Sequence, residues 1–202
     1  MQDRVKLIAR MIDSSLRKPQ TNIHGQDYLL RDFVVREVVR GTPQHGDAYE
    51  DASVVSVFNW VKSNIEYRQD PADYDYYMAA GRTINSGAGD CDDHTILICA
   101  MLNSIGFKTG ARICSPNGNA WHIYAIAGVR SFSNPSQIIA LDTTQTESYP
   151  GWEPPSIMRR YELQTSFIHG KDNGLAVNRW NGKNKGAAPL TKVPAAAGLF
   201  RR

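Results

Sequence analysis

The chain has 202 residues, 42% of them hydrophobic, which suffices for one hydrophobic core with extensions. Its 23 basic and 20 acidic residues give a net charge of +3, too small to indicate that the chain as a whole binds nucleic acid. Its three cysteines make no disulfide framework, and no run approaches the ~18 apolar residues of a membrane span. Because the first residues contain no apolar signal segment, we expect a cytoplasmic protein without a membrane partner.

Residues 1–49 are predicted to form a helical cover over the core. Two apolar stripes at helical spacing lie here, and they end at Pro19 and at Gly41-Thr42-Pro43. The stripes consist of Val5, Ile8, Met11, Ile12 and Leu16, and of Tyr28, Leu29, Phe33, Val34 and Val38. A third stripe begins the next region with Val54, Val57, Phe58, Val61 and Ile65.

A glycine-containing turn, Gly87-Ala88-Gly89-Asp90, leads into Cys91 and an apolar helical pattern that ends at Gly106. A cysteine reacts as the thiolate, and its ordinary pKa near ~8.5 leaves it mostly protonated at neutral pH. The free backbone N–H groups and the dipole at a helix start favour negative charge, so we expect a lowered pKa for Cys91. The pattern therefore predicts a nucleophile held on a rigid helix.

Downstream of this helix the pattern changes to short strands separated by turn residues. The predicted strands are Thr109–Cys114, Trp121–Ile126, Gln137–Asp142 and one within Tyr161–His169. His122 follows Cys91 by 31 residues, and Asp142 follows His122 by 20, so the two lie on neighbouring strands. We expect Asp142 to orient His122, and His122 to form a thiolate–imidazolium pair with Cys91.

This order and spacing of Cys91, His122 and Asp142 resembles the transglutaminase-like superfamily, whose members have a papain-related fold. The resemblance covers about residues 53–144 and includes Phe58–Val61 and Asn64–Asp70, although Thr143 stands where the family usually has proline. It implies an α+β fold with the nucleophile helix packed on an antiparallel sheet, the core lying within 50–170. It also implies cysteine-dependent acyl transfer on a peptide or protein substrate, without a cofactor.

The resemblance also implies an oxyanion hole, which needs a donor upstream of the cysteine in addition to the cysteine's own N–H group. Asn85, Gln69 and Tyr67 are candidates, and the sequence does not choose among them. Four aromatic residues are candidates for a substrate groove, although an ordinary packed cluster is an equally good interpretation. They are Tyr74, Tyr76, Tyr77 and Trp121.

Asp92, Asp93 and His94 beside Cys91 form a candidate set of metal ligands. Carboxylates in the first turn of a helix are explained more simply as partners of the helix dipole. The chain also has neither a C-x-x-C nor an H-E-x-x-H motif to complete a zinc site. We therefore predict that the site holds no metal.

Residues 171–202 contain seven basic residues against one acid and are rich in Ala, Gly and Pro, which predicts a basic extended arm. Two function classes remain. One is a cysteine peptidase, amidase or protein cross-linker that acts through a thioester. The other is an assembly protein of a bacteriophage virion, because the family also occurs in phage genomes; its arm would dock on neighbouring subunits in a homo- or hetero-oligomer.

Overall fold

A computed structural model describes residues 2–17, 20–23, 25–71, 74–115, 121–130, 135–154, 159–165 and 176–179. The first half of the chain is mainly helical. Its elements are α1 (Gln2–Arg17), β1 (Gln20–Ile23), β2 (Gln26–Tyr28), α2 (Leu30–Phe33), a π-helical turn (Val34–Val38), α3 (Gly46–Asn64), β3 (Glu66–Tyr67), α4 (Ala80–Ser86), β4 (Ala88–Gly89) and α5 (Cys91–Ser104). Within the described residues, no helix combines the length and apolar content that a membrane span requires.

The second half of the chain forms an antiparallel sheet of five strands in the order β7-β6-β5-β8-β9. These strands are β5 (Thr109–Ser115), β6 (His122–Val129), β7 (Gln137–Leu141), β8 (Arg159–Thr165) and β9 (Ala176–Arg179). Helix α5 packs against this sheet, chiefly against β6. The α+β class, with the helix that begins at Cys91 packed on an antiparallel sheet, is thereby confirmed.

Helix α5 is the centre of the fold, because every residue from Asp92 to Leu102 is buried. A helix that is apolar on all sides needs packing partners on all sides. The sheet covers one side, while α1, α3 and α4 cover the others. Ile8, Phe33 and Val57 of the first half belong to the same buried cluster as the apolar residues of α5, so the front helices and the sheet share one core.

The first half of the chain differs in detail from the sequence-based prediction. The antiparallel pair β1–β2 and helix α4 were not predicted, and the second predicted helix is reduced to α2 and the π-helical turn. The turn contains three valines among its five residues, and β-branched side chains lower the helix propensity of such a segment.

Part of the predicted C-terminal arm lies in the sheet. Residues Ala176–Arg179 form β9, which pairs antiparallel with β8 and extends the sheet at one edge. Residues 171–175 and 180–202 lie outside the described residues, so the proposed docking role of the arm stays a prediction.

The strands β3 and β4 are a short parallel pair that leads directly into α5, with Tyr67 opposite Gly89. Here the backbone passes so close to the first turn of α5 that only glycine fits. A Cβ atom on Gly89 would lie 2.6 Å from the Cβ atom and 2.9 Å from Oδ2 of Asp93. This close approach fixes where α5 begins relative to Tyr67.

Replacing Gly89 with alanine is expected to force the first turn of α5 away from β4 and to lower the free energy of unfolding by about 1–3 kcal/mol. Chemical denaturation of the variant would measure this loss. Gly46→Ala measures the cost of backbone strain without overlap, because Gly46 has a positive φ of 71° and a Cβ atom there meets nothing within 4 Å, whereas Gly89 is not among the glycines with positive φ. A free energy of unfolding of Gly89→Ala equal to that of the unmodified protein would contradict a steric role for Gly89.

Candidate active site

Asp90 is the N-cap of α5 and determines the electrostatics of the helix start. Its Oδ1 accepts hydrogen bonds from the backbone N–H groups of Asp92, at 2.9 Å, and Asp93, at 3.3 Å. These are two of the four N–H groups that a helix start leaves without a partner. The negative charge favoured at this helix end is therefore already supplied by the Asp90 carboxylate.

Cys91 is the first residue of α5 and is partly buried. Burial raises the pKa of its thiol far above the ordinary value, and the nearby carboxylates of Asp92 and Asp90 raise it further. A hydrogen bond with the backbone of Ile123 acts in the opposite direction without offsetting them. The direction of this shift is opposite to the sequence-based expectation of a lowered pKa, because burial of the thiol and the like charges of Asp92 and Asp90 outweigh the effect of the helix start.

His122 and Asp142 are brought together by the pairing of β6 with β7. His122 is the first residue of β6, and Asp142 directly follows β7. His122 Nε2 and Asp142 Oδ2 are 2.7 Å apart; the side chain of Asp142 is fully buried, while that of His122 is 15% exposed. Nδ1, the other ring nitrogen of His122, takes no part in this bond. The structure thus brings this pair into the contact expected from the sequence.

The carboxylate of Asp142 is held in its ionised form. Burial by itself would raise its pKa, but hydrogen bonding and charge interaction with His122, together with hydrogen bonds from Thr144, lower the pKa below its ordinary value. The Thr144 backbone N–H and hydroxyl both donate to Oδ1, at 3.1 and 2.7 Å. The buried charge therefore has partners on both oxygens.

A lysine from α3 fixes the turn that follows Asp142. Lys62 Nζ donates to the carbonyl oxygens of Thr146, at 2.9 Å, and Ser148, at 2.5 Å, and to the Ser148 hydroxyl at 3.1 Å. These bonds connect α3 to the segment that carries both Asp142 and Thr144. Sequence reasoning missed Lys62, since nothing in the spacing links it to a turn more than 80 residues later.

Tyr67 lies beside the start of α5. It stands opposite Gly89 in the β3–β4 pair, and its ring meets the ring of His94 edge-on with centroids 6.3 Å apart. Burial raises the pKa of its hydroxyl, and negative charge at Cys91 and at neighbouring carboxylates, including Asp142, raises it further. The Tyr67 hydroxyl is therefore a neutral O–H donor that interacts electrostatically with Cys91 and Asp142, on a side chain that is 47% exposed.

The other sequence-based candidates for the oxyanion donor and the substrate groove, apart from Trp121, lie on α4 and on the segment between β3 and α4. Asn85 is exposed on α4, and Gln69 is exposed in the segment after β3. Tyr74 and Tyr76 are exposed and stack on each other with ring centroids 5.9 Å apart. Tyr77 donates a hydrogen bond from its hydroxyl to Asp75.

A cavity of about 220 Å³ opens beside the candidate catalytic residues. Cys91 and His122 both line this cavity, together with five further residues. These further lining residues are Ile8, Asp92, Ile113, Trp121 and Ile123. Of them, only Trp121 was a sequence-based candidate for the substrate groove; Ile8 comes from α1, a helix predicted to be only a cover.

Two members of the candidate metal-ligand set have other partners. Asp93 Oδ1 accepts the backbone N–H of Met78 at 2.8 Å, and burial raises the pKa of this carboxyl to about 7. His94 Nδ1 lies 2.7 Å from the Thr143 hydroxyl, and burial lowers the pKa of this imidazole to about 4. Thr143, the position where proline is usual, thus has a specific contact here.

Two groups of potential ligand atoms do lie close together in the part of the chain that the structure describes. Asp90, Cys91 and Asp92 form one group, and Asp70, Asp75 and Asp90 form the other, with all ligand atoms of a group within 4.8 Å of one another. Asp70 and Asp75 also raise the pKa of Asp90, after burial, which has the largest effect. These groups would be the positions for a cation, but clustered acidic residues are common without one.

A family model for the transglutaminase-like superfamily matches residues 35–137, just over half of the chain. The chain belongs to the transglutaminase-like superfamily. The match includes Cys91 and His122 and ends before Asp142. No curated protein sequence matches this chain.

Solved structures share the fold at low sequence identity. Calcium-bound LapG of Legionella pneumophila is 17% identical with a TM-score of 0.51, and the match covers 94% of this chain and 93% of LapG. A second LapG structure gives 17% identity and a TM-score of 0.50, with coverage of 86% and 87%. A protein of Cytophaga hutchinsonii, described as a candidate cysteine protease, is 16% identical with a TM-score of 0.49 over 75% of this chain; the match spans only 46% of that protein.

Replacing Asp92 with asparagine is expected to lower the pKa of the Cys91 thiol, because Asp92 has the largest effect among the three carboxylates that raise it. The pH profile of Cys91 alkylation by iodoacetamide should then shift to lower pH than in the unmodified protein. Peptide mass spectrometry would measure labelling, with the buried Cys99 and Cys114 as internal controls. An unshifted profile would contradict the effect of Asp92 on the thiol.

Proposed function

We propose that this protein is a cysteine-dependent acyl-transfer enzyme in which Cys91 is the nucleophile, His122 the general base and Asp142 the residue that orients it. The observation that carries the proposal is the 2.7 Å bond between His122 Nε2 and a fully buried Asp142, with His122 and Cys91 lining the same cavity. A nucleophile, a base and a group that orients the base are the three parts such catalysis requires.

The raised pKa of Cys91 determines how the proton moves in the proposed reaction. Before substrate binds, the sulfur carries its proton, so the thiolate–imidazolium pair expected from the sequence is not the resting state we propose. Asp142 accepts the Nε2–H of His122, which leaves the lone pair on Nδ1 to take the thiol proton as the sulfur attacks a carbonyl carbon. His122 then protonates the leaving amine, and a thioester remains on Cys91.

Tyr67 is the upstream oxyanion donor that we propose, in preference to Asn85 and Gln69. All three residues are exposed, Tyr67 to 47%, but only Tyr67 stands opposite Gly89 beside the start of α5, and its neutral hydroxyl interacts electrostatically with Cys91. The Cys91 backbone N–H would be the second donor. Donors fixed in advance at the position where negative charge develops lower the barrier without having to reorganise during the reaction.

Water is the acyl acceptor that we propose, which makes the protein a peptidase or amidase. His122 is partly exposed, so water can reach the thioester. A primary amine as acceptor would give the cross-linking alternative from the same thioester.

p-Nitrophenyl acetate is a direct probe of the proposed thioester, because transfer of its acetyl group to the sulfur releases p-nitrophenolate. We expect a burst of p-nitrophenolate and one acetyl group on the Cys91 peptide. Cys91→Ser should show neither while retaining the fold, and Asp142→Asn should slow the burst by roughly 10²-fold or more, because the imidazole loses its orienting partner. Stopped-flow absorbance and peptide mass spectrometry provide the two measurements.

The same assay distinguishes the acceptors when N-acetyl-lysine methyl ester competes with water. Transfer of the acetyl group from the thioester to the side-chain amine, with Nα,Nε-diacetyl-lysine methyl ester as the main product, would favour the cross-linking alternative over hydrolysis. Parallel reactions with added calcium and with EGTA would show whether a cation affects the site, since LapG has been crystallised in a calcium-bound form. Acetylation of Cys99 or Cys114 with Cys91 unmodified would contradict the proposed nucleophile.

Tyr67→Phe tests the oxyanion donor separately from the nucleophile. Loss of the hydroxyl should lower the rate of Cys91 acetylation by roughly 10²–10³-fold, the usual cost of one missing donor. Alkylation by iodoacetamide forms no oxyanion, so its rate should change little. Gln69→Ala and Asn85→Ala are the matched controls, and a larger effect of either one on acetylation would replace Tyr67 as the donor.

A further inference from the structure

The cavity next to Cys91 is apolar on most of its walls and accepts only a small group. Its volume of about 220 Å³ is below that of a pocket for a whole drug-sized ligand, but it exceeds the ~30 Å³ share of one water molecule several-fold. It therefore has room for one large side chain. The sulfur and the imidazole on its wall place such a side chain next to the reacting carbonyl.

Three isoleucines from different parts of the chain make the apolar wall. Ile113 and Ile123 face each other across β5 and β6, and Ile8 projects from α1; each is less than 10% exposed. Trp121 lies just before β6 and is 42% exposed, so its indole stands at the open side of the cavity. Apolar side chains gain free energy when they leave water for such surroundings.

One carboxylate completes the lining. Asp92 is the single acidic residue among the lining residues and lies close to the thiol, whose pKa it raises. An acidic substrate side chain would bring a second negative charge into this small space and would lose hydration as well. The cavity is therefore suited to an uncharged apolar group and unsuited to an anion.

We propose that this cavity is the specificity site for an aliphatic side chain, of the size of leucine or methionine, on the residue that carries the carbonyl attacked by Cys91. The proposal rests on the proposed acyl-transfer function and specifies its substrate class. The N-terminal helix α1 thereby takes part in substrate selection through Ile8, in addition to covering the core.

Aminoacyl chloromethyl ketones with a common blocking group test the proposal without a known substrate. In the labelling step the sulfur attacks the methylene carbon, a C–S bond forms, chloride leaves, and the thiol proton passes to His122. We expect the leucine reagent to label Cys91 about ten-fold or more faster than the alanine reagent, and the glutamate reagent to be slowest. Equal rates for leucine and alanine, or faster labelling by a glutamate or lysine reagent, would overturn the proposal.

Ile8→Ala and Ile12→Ala form a matched pair of variants on α1. Both positions are buried isoleucines of the same core, 3% and 1% exposed, but only Ile8 lines the cavity. Both changes destabilise the protein in similar ways. Only Ile8→Ala should lower the ratio of the leucine rate to the alanine rate; the same lowering in both variants would overturn the role of the cavity wall.

Iodoacetamide separates the failure of this proposal from the failure of the proposed function. Alkylation of Cys91 by iodoacetamide at alkaline pH, with chloromethyl ketones that label at one common rate, overturns the specificity site alone. If neither reagent type labels Cys91 even at alkaline pH, the nucleophile itself is refuted, and the specificity site with it. Because the ratio of rates is first measured on the unmodified protein, the test does not depend on the variants folding.

Discussion

The hydrogen bonds from the first turn of α5 to Asp90 are the interaction on which the rest of the site depends. They define where the buried central helix begins and therefore where Cys91 stands relative to the sheet. Gly89 allows β4 to pass close enough for this cap to form, and the β3–β4 pair brings Tyr67 alongside. One carboxylate thus connects the helix start, the nucleophile and the candidate oxyanion donor.

The same cap has an electrostatic cost for the nucleophile. A helix start stabilises an anion only if its N–H groups are available to that anion, and here Asp90 already uses two of them. Burial of the thiol, together with repulsion between a thiolate and the carboxylates at this helix end, raises the pKa of Cys91. The His122–Asp142 pair is correspondingly important for the proposed reaction, since a protonated thiol needs a base at the moment of attack.

The parts of the fold that follow from local patterns were predictable. The apolar run after Cys91 indicated α5, and alternation in Thr109–Cys114 and Trp121–Ile126 indicated β5 and β6. The His122–Asp142 contact followed because consecutive short strands usually pair. The roles of Ile8 and Lys62 depend on long-range packing and were not predictable. Only when the core is assembled does Ile8 line the cavity and Lys62 bind the turn that follows Asp142.

The order of these residues along the chain has a consequence for biosynthesis. Ribosomes release the N-terminal wall residue Ile8 first, then Cys91, and the acid Asp142 follows the nucleophile by 51 residues. Strand pairing between β6 and β7 requires the later segment, so a nascent chain with an exposed Cys91 has neither an oriented base nor a closed cavity.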